Sequence, residues 1–168
     1  MICIRPTPDV IEYADNVAAV RQGTAFLKQR LNANGLIGSF DQLLTVHRKG
    51  ARCEAAGKLY LNPIRWHALA EKIKGLPDLG DFIDVKGCER ETDRLILQRD
   101  GLDDFAYLQV FNRHPDYLIG KWVWGFEGKQ EQFWDDPKGG RPAYFVTPWR
   151  DPEELVAEVR RRQKDAAA

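Results

Sequence analysis

The chain has 168 residues, 43% of them hydrophobic and 30% charged, and its 25 basic and 25 acidic side chains cancel to a formal net charge of zero. That length suits one domain over residues 1–168, the composition is that of an ordinary globular protein, and the balanced charge gives no support to sequence-independent adhesion to a polyanion. Three scattered cysteines, Cys3, Cys53 and Cys88, without a CxxC or clustered histidines, point away from a disulfide framework or a zinc site and favour a reducing cytoplasm; no apolar run reaches the length of a signal core or a membrane span.

From Pro8, the positions Val10, Tyr13, Val17, Val20, Phe26, Leu27 and Leu31 follow the spacing of an amphipathic helix, with Gly23 as a point of interruption. NANGLIGSFDQLL reads as a loop. HRKGARCEAAGKLYL, from His47 to Leu61, reads as a second helix whose alanines and glycines predict close packing against another element. IRWHALAEKIKGLP is read as helical or mixed as far as Gly75 and Pro77. Beyond it the period changes to alternation, and FIDVKG, RLILQR, FAYLQVFN and YLIGKWVWGFE are expected as four strands of one sheet. A loop around Pro137 to Pro142 leads to a short strand, AYFVT, and DPEELVAEVRRRQK is a closing helix opened by Asp151, Pro152, Glu153 and Glu154. The expected class is α/β in the α+β sense, a central mixed, mainly antiparallel sheet flanked by helices.

The charged strand FIDVKG raises the question of chemistry. Alternation sends Ile83 and Val85 to the core and leaves Phe82, Asp84 and Lys86 on the other face. An acid beside a base is either a solvated ion pair or a catalytic pair. Phosphodiester hydrolysis uses a divalent metal held by carboxylates and a cation near the attacking water, and Asp84 and Lys86 suit those two jobs. Glu54 supplies a second carboxylate from a helix otherwise built of small and apolar residues.

Taken in order, Glu54 on a helix, Pro77 with Asp78, and the strand Asp84-Val85-Lys86 resemble the PD-(D/E)xK nuclease superfamily. GARCEAAGKLYL, PDLGDFIDVKG, RLILQRD and YLIGKWVWGFEGK are similar to small uncharacterised phage and bacterial proteins of that superfamily, over about residues 48 to 130. The resemblance implies a restriction-endonuclease-like core and a Mg²⁺- or Mn²⁺-dependent nuclease acting on DNA, with RNA as the alternative polymer. It places Glu54, Asp78 and Asp84 around the metal, has Lys86 position or polarise the water, and implies a homodimer where both strands are cut. The spacing departs from the pattern, because the family's first aspartate usually stands farther ahead, on the other arm of a hairpin. Asp81 is the alternative, and it needs a bulge to reach the face of Asp84. The competing reading is a catalytically inactive, nuclease-like nucleic-acid-binding or assembly module, which the zero net charge favours.

Other features weigh less. Arg48, Lys49 and Arg52, and the run VRRRQK from Val159 to Lys164, are local basic patches, the second read as a solvated helix end. Trp122 and Trp124 share a strand face and are read as packing rather than base stacking; Trp134, Phe126, Phe133 and Tyr144 add to the same aromatic concentration. His47, His67 and His114 stand in no metal spacing, and DDPKGGRP lacks the GK[ST] ending of a phosphate loop.

Overall fold

Helix α1 (Pro8–Leu27) opens on a proline, whose missing N–H leaves nothing unsatisfied in a first turn, and it continues unbroken through Gly23. The computed structural model in which it is seen describes residues 1–27, 39–68, 75–137, 139 and 142–167. Leu31, the whole NANGLIG stretch, residues 69–74 and part of the DDPKGGRP loop lie outside the described residues.

Helix α2 (Phe40–Tyr60) starts well before His47. Ser39 explains the difference: its hydroxyl accepts the Gln42 N–H at 3.3 Å while the Gln42 side chain accepts the Ser39 N–H at 2.9 Å. This reciprocal capping box satisfies two otherwise orphaned donors, so SFDQLL begins a helix instead of ending a loop. The small residues of α2 do what their pattern predicts. Ala51 and Ala55 pack against Ala14 and Ala18 of α1, and a Cβ on Gly57 would stand 3.3 Å from Leu79 and 3.4 Å from Val85. The helix therefore lies almost directly on strand β2 (Ile83–Cys88).

That strand is the outer member of a four-stranded sheet with β4 (Ala106–Arg113), β5 (Asp116–Trp124) and β1 (Ile2–Ile4), in the order β1-β5-β4-β2. β2 runs parallel to β4, and the other neighbours are antiparallel. The fold is α+β, with the mixed, mainly antiparallel sheet that was expected. RLILQR, however, is not a strand of this sheet. β3 (Leu95–Leu97) pairs with β7 (Ala143–Val146), and β7 with β6 (Trp134–Asp135), in a second, three-stranded antiparallel sheet. Leu95, Leu97 and Val146 turn inward and cover Tyr107, Phe111 and Val123 on the face of the first sheet opposite α2. β1 and β6 are too short for a period to show in ICI or WD. The GFE that ends YLIGKWVWGFE turns into a one-turn helix, α3 (Gly125–Gly128).

The closing helix α4 (Pro152–Ala166) buries Leu155 and Val159 in the main core, where Trp122 is 2% exposed and sits edge-on to Trp124 at 5.1 Å, a packing role as expected. Residues 61–68 form no helix; Trp66 makes a single antiparallel bridge to Leu79. The three cysteines are free, and among the described residues no helix is long and apolar enough to cross a membrane.

Candidate active site

The three carboxylates singled out in the sequence are all buried, Asp78 at 3%, Glu54 at 5% and Asp84 at 7% exposure. An ionised group taken out of water costs several kcal/mol unless it is paired and hydrogen-bonded, so each must have partners.

Glu54 points from α2 toward α1. Arg21 grips it with two hydrogen bonds, Nη1 to Oε1 at 2.7 Å and Nη2 to Oε2 at 2.9 Å, and the Trp66 indole N–H donates to Oε2 at 2.9 Å. Burial works against the Arg21 charge, but the hydrogen bonds and charge of Glu54, with Asp78 adding to them, hold its pKa above the ordinary value. Arg21 thus belongs to both acids electrostatically. His47 lies in the same field; burial first, then the Arg21 charge, lowers its pKa, and its Nε2 is buried without a hydrogen-bond partner.

Asp78 reaches the site through a tight hairpin. Leu79 and Ile83 exchange both backbone hydrogen bonds, at 3.0 and 3.2 Å, around a turn in which Gly80 takes φ +55°, a conformation that a side chain would disfavour. Asp78 stands on the first arm and Asp84 on the second. In a strand, alternate residues direct their backbone groups to the same edge, so Val85 presents its N–H where Ile83 presents its own, away from β4. Asp78 Oδ2 accepts that Val85 N–H at 2.8 Å, and its carboxylate therefore lies against the peptide that follows Asp84. The short spacing is compatible with the opposite-arm arrangement because the hairpin is minimal. Asp81 is exposed in its turn, apart from the buried acids.

Val85 faces Gly57 of α2, and Asp84 and Lys86 project from the other face, where Asp84 is in register with Tyr107 of β4. Lys86 Nζ contacts Asp84 Oδ2 and lies 5.5 Å from the centre of the Tyr107 ring. Phe82 does not join them. It precedes the strand, and it is buried in the main core, stacked on Trp124 at 5.8 Å.

The hairpin edge thus links Asp78 to Glu54 through Arg21, and to Asp84 through the Val85 peptide. It does not gather three acids into one ligand cluster: among the described residues no group of three or more His, Cys, Asp or Glu side chains stands ready to hold a metal ion. The donor chemistry nevertheless fits a hard divalent cation, since Mg²⁺ is usually held by one or two carboxylates together with waters and substrate phosphate. Arg21, Trp66 and Tyr107 complete the surroundings. Nothing in the sequence marked them, because each comes from an element remote from the motif.

Five cations of the basic patches read from the sequence have acidic partners. Arg52 binds Asp15 at 2.6 Å with Arg48 alongside at 4.0 Å, Lys49 contacts Glu89, and Arg161 and Arg162 both bind Glu158, whose carboxyl Arg161, with Arg162, holds at a pKa of about 2. Compared with protein-family models, with curated proteins and with solved structures, the chain matches none.

Proposed function

We propose that the protein is a metal-dependent nuclease that hydrolyses phosphodiester bonds of DNA, with Asp78, Asp84 and Lys86 at the outer edge of β2 as its centre and Glu54 behind them. The observation that carries this reading is the burial of two carboxylates on the two arms of one hairpin, Asp78 and Asp84, with the Lys86 ammonium on its rim and the buried Arg21–Glu54 pair of α1 and α2 behind Asp78. Buried ionised groups contribute little net stability to a fold, and a concentration of them beside a groove is characteristic of a functional site.

Asp78 and Asp84 would hold Mg²⁺ or Mn²⁺, which neutralises phosphate charge and lowers the pKa of a bound water. Lys86, set between the Asp84 carboxylate and the Tyr107 ring, directs a compact cation toward the phosphoryl oxygens or the attacking water. Arg21 is a positioning residue: its two hydrogen bonds fix the Glu54 carboxylate, and its charge acts on Asp78 as well.

A second reading has its own observation. Both oxygens of Glu54 are already occupied by Arg21 and Trp66, and Asp84 by Lys86, as would be expected of an assembly or binding module whose acids are internal ion pairs. Calorimetric titration with Mn²⁺ separates the two. The nuclease reading predicts a binding site that is lost in Asp84→Ala and accompanies DNA hydrolysis by the wild type; identical titrations of the two proteins, or a wild type that takes up no Mn²⁺, would leave the module.

A further inference from the structure

We infer that the groove beside Lys86 binds an unpaired nucleic-acid strand, stacking one base on the outer face of the second sheet and holding its phosphate between Lys86 and Arg94. The inference rests on the nuclease reading and names its substrate class as single-stranded.

The groove, of about 590 Å³, runs from the end of β2 past the turn at residues 89–94 to β3 and β7, and Lys86, Thr92, Arg94, Ile96, Gln98 and Phe145 line it. Ile96 and Phe145 are cross-strand partners, directed away from the core into which their neighbours Leu95, Leu97 and Val146 turn. Ile96 is 43% exposed, and the Arg94 guanidinium stands 5.5 Å from the centre of the Phe145 ring. An open apolar pair flanked by Arg94 and by the Asp84-paired Lys86 has the two properties of a nucleotide's complement, a flat surface for the base and a cation for the phosphate.

Lys86 is paired with Asp84, which leaves the exposed Arg94 guanidinium as the principal positive charge of the groove, and the two acids that line it are engaged elsewhere. Glu89 is engaged by Lys49, and Asp93 accepts the backbone N–H groups of Glu89 and Arg90 at 3.0 and 2.9 Å, which shapes the turn. The volume falls within the usual range of small-ligand sites and is far too small for a duplex. A duplex also keeps its base faces inside the stack, whereas a single strand offers them to an aromatic ring.

The test is fluorescence anisotropy with a labelled single-stranded DNA oligonucleotide and its duplex, in EDTA so that nothing is cleaved. The single strand should bind the wild type more tightly than the duplex does. Phe145→Ala should weaken single-strand binding by about 5- to 150-fold, the range for loss of one stacked base. Arg94→Ala, at an exposed position where folding is not at stake, should weaken it as well, while Phe145→Trp should preserve it. Unchanged affinity in Arg94→Ala and Phe145→Ala, tighter binding of the duplex, or no single-strand binding by the wild type overturns the inference. Because the readout needs no metal, a protein that binds in this way and yet hydrolyses nothing would refute the nuclease reading and leave the groove standing.

Discussion

Arg21 and Glu54 are 12% and 7% exposed in their side chains and are joined by two hydrogen bonds, so neither can lose the other cheaply. Arg21→Ala should destabilise the fold by about 3–5 kcal/mol in denaturant melts, since it leaves a carboxylate buried and unpaired. Replacing both, as Arg21→Met with Glu54→Leu, should recover most of that stability and still abolish hydrolysis; a double variant that retained activity would reduce the pair to a helix clamp. His47 supplies a pH dependence. Its folded pKa is depressed below the unfolded value of about 6.5. The stability it contributes is therefore complete above that value and is lost as pH falls through 6.5 toward the folded pKa. His47→Gln should flatten this part of the acid limb in melts between about pH 7.5 and 5, and an unchanged slope would assign it to other groups. At this scale the sequence revealed the residues of a contiguous motif, Asp84 and Lys86, and the one acid in an otherwise small and apolar helical stretch, Glu54. It did not reveal Arg21, which lies 33 positions from Glu54 and looks like any polar residue of an amphipathic helix.

Helix α2 shows how element boundaries depend on a few atoms. The alanine and glycine pattern announced the buried half, and the Ser39–Gln42 capping box, which periodicity does not register, moved the start to Phe40. The two glycines of the helix make a controlled comparison. Gly50 has open space around it, so Gly50→Ala should raise stability by about 0.5–1 kcal/mol through lower unfolded-state entropy and better helix propensity. Gly57 meets Leu79 and Val85, so Gly57→Val should lower stability by about 1–3 kcal/mol through overpacking. Thermal melts of both variants check the close approach of α2 to β2, and a neutral Gly57→Val would contradict it. The hairpin from Leu79 to Ile83 was hidden for a different reason: its partners are one residue each, too short for alternation to appear, although this turn is what sets Asp78 against the Asp84–Val85 peptide. The second sheet escaped likewise, because alternation within β3 says which side chains turn inward and not which strand lies alongside.

Across the whole molecule the formal charge is zero, and five cations of the basic runs on α2 and α4 are paired with Asp15, Glu89, Glu158 and Asp165. The proposed attraction of a polyanion would thus depend on a few cations, Arg94 and the Asp84-paired Lys86, rather than on a broad basic face. Binding should accordingly show a shallow salt dependence, with a log–log slope near −0.7 per phosphate contacted, in anisotropy titrations at several salt concentrations. A steep slope would require many phosphate contacts and a different surface. Hydrolysis at the β2 edge is the proposal on which the others depend. The most direct measurement is the rate of Mg²⁺-dependent cleavage of single-stranded and plasmid DNA by the wild type beside folded Asp84→Asn and Lys86→Ala. Cleavage by the wild type is expected, with a loss of at least about 100-fold in each variant, the scale of removing one group that stabilises transition-state charge. Equal rates in the three proteins, or no cleavage by the wild type, would contradict it.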